Sequence, residues 1–290
     1  MFPFRRRDPL PGEPGFKREA AKELIQSAKT YVREGKEIYK NAQDEAYSAR
    51  NDADRALGSY TTFCRDTLQK LNSKLRPVIA EFKSIDVNSR VTVTNPESSI
   101  DFIDGFLSSV SDVSLHAVKL PNISGIVDFP NPLSDFFDSI LEEYQYEKAK
   151  EQCARARAYR DEMKMARQEF RAYRDKMRHL CSFLEQDKKQ ITELANKISS
   201  ITDQLQSAMK KEHYSRDEAE HLKSICQIAD GICVHLSSNF LQNDGTISAR
   251  FEKQSTALTQ LNQSIPAAPR IDDQTFLNIL AAAGKLPIEK

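Results

Sequence analysis

The feature that most constrains this chain is an apolar repeat of seven residues in its second half. Small, apolar or aromatic residues recur at this spacing from Ala149 to Leu205. A second series lies three residues after each of them, and only Gln152 and Asp187 interrupt it with strongly polar side chains. A repeat of this length is typical of a coiled coil. The sequence therefore predicts a long helix, whose heptad stretch would measure about 90 Å.

The placement of proline supports this helix and locates a second one. No proline occurs from Leu133 to Ile265. Because proline removes a backbone donor and clashes inside a helix, such a stretch is permissive for long helices. From Phe16 onward, small or apolar residues recur every three or four positions, which is the helical period. We expect this first long helix to carry an alanine stripe, Ala42–Ala56, and to kink or restart near Pro77.

The two predicted helices match in length and are joined by about fifty residues, so a long antiparallel coiled-coil hairpin is the economical arrangement. In that pairing Ala42–Ala56 faces Met163–Met177, because small and large side chains on facing helices interdigitate. The repeat leaves one alternative open, which is a parallel pairing between two copies of the chain. Either way, the predicted fold class is mainly all-α.

Shorter elements are predicted after the second long helix. Ser215 and Glu218 match a capping box, and Thr246 is a candidate cap for the next helix, with Phe251 and Leu258 inward. Both helices would pack on the base of the hairpin as a three- or four-helix bundle. In chain order the predicted domains are a disordered basic tail (1–15), the first long helix (16–83), a small α+β tip (84–133), the second long helix (134–212), two shorter helices (213–265), and a linker with a short C-terminal helix (266–290).

Composition fits a chain with much surface and a narrow core. Hydrophobic residues make up 39% and charged residues 29%, whereas a compact globule carries nearly half apolar residues. The 42 basic and 42 acidic residues cancel, so no global field favours nucleic acid or a membrane. The sequence shows neither a secretory signal nor an apolar run of about 18 residues. Together with five cysteines that lack paired spacing, this predicts a soluble cytoplasmic protein.

No constellation of residues predicts an enzyme. The nine glycines are scattered and form neither a phosphate-binding loop nor a nucleophile elbow. Glu218 and His221 fit one half of a di-iron motif, but no second copy of that motif occurs. Cys233 and His235 are interpreted as packing residues. We therefore expect no catalytic residue, no metal, no cofactor and no small-molecule substrate.

The strongest functional signal is a basic row beside the seam of the second long helix. Between Lys148 and Arg178, eleven basic residues outnumber five acidic ones. One interpretation is that the row pairs with Glu45, Asp52 and Asp66 of the first helix and fixes the antiparallel register. The other is that it binds a partner or an anionic surface. The row consists of Arg157, Arg160, Lys164, Arg167, Arg171, Arg174 and Arg178.

Two function classes follow from this layout. The first is a non-enzymatic coiled-coil interaction or scaffold protein that presents its tip and its basic row to a protein partner or to another copy of itself. The second follows from a resemblance: long helices with a short α+β head resemble the architecture of the bacterial α-helical pore-forming toxins. That resemblance implies a membrane-active protein or an anionic-lipid binder, although Asp101 and Asp104 interrupt the apolar residues of the head. Nucleic acid is not an expected partner, since no recognition fold is present. The tip residues predicted to make contacts are Phe102, Phe106, Leu107 and Val110.

Overall fold

A computed structural model of the chain shows that its described residues are almost entirely helical, so the protein is mainly all-α. The described residues are 11, 16–86, 121, 142–209, 225, 228–229, 231–236, 238 and 240–267. The long helices are α1, Phe16–Asp86, and α2, Glu142–Met209, and a shorter helix, α3, spans Ala249–Ser264. Residues 231–236 form a further helical segment. The basic tail, the tip beyond α1, the Ser215 cap and the C-terminal helix that the sequence predicted lie outside the described residues.

α1 is continuous through Pro77, where the sequence predicted a kink or a restart. Pro77 lacks the amide hydrogen that would bond to the carbonyl of Ser73. Both residues are exposed, so water can satisfy that carbonyl. The apolar face of the helix meanwhile passes the proline without a break, because Leu75 and Val78 are both buried. Because the apolar face is buried on both sides of the proline, the helix continues past it.

The chain divides into two units, and both long helices contribute to each. Unit 1 comprises 1–50 and 119–175, and unit 2 comprises 51–118 and 176–290. The described part of unit 1 is therefore the first half of α1 with the first half of α2. Unit 2 contains their second halves together with the 231–236 segment and α3.

In unit 1 the two helices run in the same direction. Near the start of both, the Lys17 ammonium lies 2.7 Å from the Glu143 carboxylate. Further along both, the Arg174 guanidinium lies 2.7 Å from the Glu45 carboxylate. Residue numbers therefore rise together along the two helices, which is the signature of a parallel pair.

Unit 2 shows the same direction within its own part of the helices. The Lys188 ammonium lies 3.1 Å from the Ser59 hydroxyl, and the Lys74 ammonium lies 2.6 Å from the Asp203 carboxylate. Here too both residue numbers increase together, so α1 and α2 are parallel in unit 2.

The predicted antiparallel hairpin is therefore wrong in its direction. An apolar heptad repeat defines which face of a helix is buried, but its spacing is the same when it is read backwards. The connection between the helices does not decide their direction. A connection of about 55 residues can reach about 180 Å when fully extended, which exceeds the length of either helix at about 1.5 Å per residue. The parallel pairing that the sequence allowed between two copies is formed here within one chain.

The core of unit 1 combines small side chains from α1 with larger ones from α2. Ala42 is buried in α1, whereas Met163 and Phe170 are buried in α2. The helices approach closely at Gly35, where an added Cβ would lie 2.7 Å from the ring of Tyr159. Gly35 is thus a small residue facing a large one, and the offset of 129 residues that pairs Glu45 with Arg174 places Ala42 at the level of Phe170 and Arg171 instead of Met177.

In unit 2, α3 begins after a tight turn. The Ser248 hydroxyl caps the helix by accepting a hydrogen bond from the amide of Phe251. The sequence predicted this cap at Thr246, but the Thr246 hydroxyl donates to the Asp244 carboxylate instead. The turn between these residues contains Gly245, whose φ of 80° lies in the region that favours glycine. The cap is therefore two residues later than predicted.

α3 runs parallel to α2 and covers it. The Lys176 ammonium lies 3.3 Å from the Asp244 carboxylate just before α3. At the other end, the Lys197 ammonium donates to the carbonyls of Asn262 and Ile265 at 2.6 and 2.8 Å. Lysines of α2 thus hold both ends of this added element. Phe251 and Leu258, which were predicted to face inward, are buried in unit 2, as are other apolar residues of the same helical period, namely Ile225, Ala229, Ile232, Leu236, Phe240, Ile247 and Leu261.

Candidate interaction surface and buried polar cluster

The basic row of α2 divides into two series that differ in their position on the helix. With Met163 and Phe170 at heptad position a, one series occupies position e, beside the seam, and the other occupies position b, further from it. The e series is Arg160, Arg167 and Arg174, and the b series is Arg157, Lys164, Arg171 and Arg178. Six of these residues belong to unit 1, whereas Arg178 belongs to unit 2.

Arg160 is engaged with α1. Its guanidinium carbon lies 4.5 Å from the centroid of the Tyr31 ring, which is a cation–π distance. Its nitrogens also lie 3.5 Å from the Glu34 carboxylate and 3.3 Å from the Asp161 carboxylate. Only 19% of the Arg160 side chain remains exposed. This arginine therefore helps to hold the two helices together.

Arg174 is engaged in a similar way two heptads later. Its guanidinium binds the carboxylate of Asp175 at 2.9 Å and that of Glu45 at 2.7 Å. Hydrogen bonds to Asp175 and then to Glu45 raise the pKa of Arg174. Of the three acids predicted to meet the row, Glu45 does so, whereas Asp52 bonds to Arg55 on its own helix. The row therefore contributes to the pairing of α1 with α2, but through fewer residues than predicted.

Three arginines of unit 1 have no such engagement. Arg157, Arg167 and Arg171 are exposed and form no ion pair with any residue that the structure describes. Between the engaged positions, the register that pairs Arg174 with Glu45 places Ile38 opposite Arg167, and isoleucine offers no charge. At about 100° per residue, the three side chains originate within an arc of about 80° on α2. We call them the unpaired arginines of unit 1.

The other members of the row are less open or lie elsewhere. The Lys164 ammonium lies 3.0 Å from the Asp161 carboxylate on the same helix. Arg178 is exposed but lies in unit 2. The structure thus separates a row that the sequence treated as one surface into engaged, locally paired and unpaired residues. The four tip residues, Phe102, Phe106, Leu107 and Val110, lie outside the described residues.

A second polar arrangement, which sequence analysis missed, is buried in unit 2. Its centre is Asp187, one of the two residues that interrupt the apolar seam, with 2% of its surface exposed. The hydroxyls of Tyr60 and Ser255 each donate to this carboxylate at 2.5 Å. The imidazole Nε2 of His235 lies 3.1 Å from both carboxylate oxygens. We call these four residues the Asp187 cluster, and they join α1, α2, the 231–236 segment and α3.

The electrostatics of this cluster follow from burial and from its hydrogen bonds. Burial acts to raise the pKa of Asp187, but the hydrogen bond and charge of His235, with the two hydroxyl donors, outweigh it and leave that pKa below its usual value. Burial and the nearby Asp187 charge raise the pKa of Tyr60 well above its usual value. The same two causes raise the pKa of Cys64 to about 12. Asp187 is therefore held as a carboxylate among neutral donors and His235.

The geometry of the cluster differs from that of a nucleophilic triad. In a triad the serine hydroxyl bonds to the histidine, which in turn bonds to the acid. Here Ser255 and His235 both bond to the same carboxylate, and the imidazole stacks on the Phe251 ring at a centroid distance of 4.1 Å. The sequence held one signal of this cluster, because an acid on an apolar seam needs buried partners. His235 was interpreted there as a packing residue, and its bond to Asp187 corrects that interpretation.

Among the described residues, no group of His, Cys, Asp and Glu is arranged to hold a metal ion. None of the described helices combines the length and the apolarity that crossing a membrane requires. No protein family, curated protein or solved structure matches the chain.

Proposed function

We propose that this protein is a non-enzymatic coiled-coil interaction protein that binds a partner through the basic flank of α2 in unit 1. The observation that supports this most directly is the presence of the three unpaired arginines, Arg157, Arg167 and Arg171, beside the engaged Arg160 and Arg174. Holding α1 against α2 accounts for the engaged residues only. The surplus concentrates positive potential on one flank of an otherwise neutral chain, and such patches steer and orient charged partners.

An anionic membrane is the alternative occupant of the same flank. Basic residues near a membrane surface contribute about 1 kcal/mol each, so three arginines give weak binding unless apolar side chains also insert. On the adjoining outer face of α2, the exposed positions include Ala158, Met165 and Ala172, and only methionine among them is large. This supports a protein partner over a lipid surface.

The proposed function is tested by reversing the unpaired arginines. The test variant carries Arg157→Glu, Arg167→Glu and Arg171→Glu. The matched control changes three exposed basic residues of unit 2 by the same total charge, through Arg65→Glu, Lys189→Glu and Lys253→Glu. Partners are crosslinked in native cells and quantified by mass spectrometry. We expect the test variant to lose the bound partner and the control to retain it.

A third variant separates binding from folding. Reversal of the engaged pair, through Arg160→Glu and Arg174→Glu, is expected to lower the melting temperature, because it places like charges beside Glu34 and Glu45. Reversal of the unpaired arginines should leave the melting temperature nearly unchanged, since exposed substitutions stay within about 0.5 kcal/mol. Equal partner recovery from test and control variants would refute the proposed function. Sedimentation with phosphatidylserine vesicles, without a protein partner, would favour the membrane alternative.

A further inference from the structure

We infer that the partner of this surface is an acidic amphipathic helix. It lies lengthwise along α2 over the unpaired arginines, which form the basic flank of this helix, and beside Tyr31 and Ile38 of α1. This inference rests on the proposed function and specifies the chemistry of the partner. Its carboxylates would bond to the unpaired arginines, and its apolar side chains would cover Ile38. The site lies entirely within unit 1.

The two engaged arginines of α2 leave a gap between them, one heptad from each. Arg160 covers Tyr31, and Arg174 binds Glu45. The heptad between them places Arg167 opposite Ile38, whose side chain offers neither a ring nor a carboxylate. Ile38 is partly exposed, so an apolar contact and a cation stand side by side at this point. An amphipathic segment with one apolar and one acidic residue would complement both.

The spacing of the cations along α2 favours a helical partner. Arg157 and Arg171 lie two heptads apart, with Lys164, which is paired with Asp161 on its own helix, midway between them, and one heptad is a rise of about 10.5 Å along a helix. A second helix that carries carboxylates at one heptad position repeats at the same distance, so the match continues along the whole flank. Phosphates of duplex DNA recur at about 3.4 Å per strand, and a lipid surface has no fixed period. The spacing therefore favours a helix.

No acid of α2 among the described residues forms an ion pair with an unpaired arginine. The Asp161 carboxylate bonds to Lys164 and Arg160. The Asp175 carboxylate bonds to Arg174. Both acids are thus committed to residues outside the unpaired set. The positive charge of the flank remains available to carboxylates from another molecule.

In unit 2, an added helix, α3, already lies along α2. There Lys176 binds Asp244, and Lys197 binds carbonyls at the end of α3. Basic side chains of α2 therefore hold a parallel helix in this protein. Among the described residues, unit 1 has only α1 and α2. An acidic helix would give unit 1 a third helix of its own.

The test uses the full chain and a synthetic peptide as the probe. The peptide spans about four heptads, with leucine at its seam positions and glutamate beside them. A permuted peptide has the same composition, but its glutamates do not share one helical face. Binding is measured by fluorescence anisotropy. We expect the amphipathic peptide to bind about tenfold more tightly than the permuted one, as several exposed ion pairs of modest strength allow.

Variants of the protein then assign the binding to the proposed surface. The Arg157→Glu, Arg167→Glu and Arg171→Glu variant should weaken binding of the amphipathic peptide about tenfold or more. The Arg65→Glu, Lys189→Glu and Lys253→Glu control should bind as the unchanged protein does. Ile38→Ser should also weaken binding, because it removes the apolar contact without changing any charge. An unchanged affinity for Ile38→Ser would contradict a helix lying over this row.

The remaining outcomes identify other occupants. Equal binding of the two peptides would overturn the helical partner, as would stronger binding of duplex DNA or phosphatidylserine vesicles. Self-association that the triple arginine reversal abolishes would identify a second copy as the occupant, and would also overturn it. If peptide discrimination fails but the reversal still removes the native partner, this inference is wrong and the proposed function stands. If the reversal affects neither, both are wrong.

Discussion

Units 1 and 2 are built from the same two helices and the same heptad repeat, yet the polar residue on the seam differs between them in its hydrogen bonds. In unit 1, Gln152 has its amide oxygen buried without a hydrogen-bond partner among the described residues. In unit 2, Asp187 receives hydrogen bonds from three other elements. A buried carboxylate without partners is far more unfavourable than a buried amide. The heptad repeat therefore forms the apolar seam in both units, whereas the added elements of unit 2 donate the hydrogen bonds that stabilise a charged residue there.

The units also differ in what holds their helices together. In unit 1, the pairs beside the seam are partly or largely exposed, as with Arg174 and Glu45. Exposed ion pairs contribute about 0–1 kcal/mol each and weaken with salt. In unit 2, the Asp187 cluster joins four elements, and all its members except the half-buried Ser255 are buried. We therefore expect unit 2 to respond strongly to changes at one residue, and unit 1 to respond weakly to changes at many.

The largest expected effect is that of Asp187→Leu, compared with Gln152→Leu. Each change restores an apolar residue to the repeat, so sequence reasoning alone predicts that both are stabilising. The structure predicts opposite signs. Asp187→Leu leaves the buried His235 and Tyr60, and the half-buried Ser255, without their acceptor and should lower the free energy of unfolding by about 3–5 kcal/mol. Gln152→Leu removes an unsatisfied buried oxygen and should raise it by about 1 kcal/mol.

Urea unfolding followed by far-ultraviolet circular dichroism measures both variants. Amide hydrogen exchange then locates the change, which should appear in unit 2 for Asp187→Leu and in unit 1 for Gln152→Leu. A stabilising Asp187→Leu would contradict the difference between the two units, because it would show that the Asp187 cluster has no structural importance.

Acidification should have the next largest effect, and it should act on unit 2. Burial raises the pKa of Asp187, but its hydrogen bonds, first from His235, leave the folded value lowered. A lowered pKa means that the stabilisation is present above the ordinary aspartate pKa of about 4 and is lost as the pH falls through the folded value. Exchange protection, corrected for intrinsic rates, should therefore fall more in unit 2 than in unit 1 below about pH 4.

Asp187→Asn provides the control for this pH dependence. Asparagine keeps the shape of the side chain but does not ionise, so this variant should be less stable at neutral pH and should lose little more in acid. Added salt should weaken the exposed pairs of unit 1, whereas the buried Asp187 cluster should change little. An equal loss of protection in both units on acidification would contradict the assignment to Asp187.

The smallest expected effect compares two glycines of α1. Gly58 in unit 2 has nothing within 4 Å of an added Cβ, so Gly58→Ala should stabilise by about 1 kcal/mol through helix propensity. At Gly35 in unit 1, the same Cβ would lie 2.7 Å from the Tyr159 ring. Overpacking of this kind is unfavourable by about 1–3 kcal/mol, so Gly35→Ala should give a net loss of about 1 kcal/mol. Urea unfolding measures both, and equal stabilisation would show that Tyr159 moves aside freely.

The heptad spacing and the helical period predicted the existence of the two long helices and the faces by which they are buried. Heptad spacing and helical period are local properties, so residues such as Phe170 and Leu184 were assigned to the seam without any knowledge of their partners. The apolar residues of α3, including Phe251, were assigned inward for the same reason. The cap of that helix was misplaced at Thr246, because Ser248 and Thr246 both have capping side chains and only the turn at Gly245 distinguishes them.

Tertiary structure alone decided the direction of the helices, the partners of Asp187 and the division of the basic row. A seam that is periodic looks the same in both directions, so direction depends on flanking pairs such as Arg174 with Glu45. The partners of Asp187 come from segments that are distant in sequence, and no local pattern links them. The same holds for the unpaired arginines, since a charge row does not reveal which of its members meet an acid until the neighbouring helix is in place.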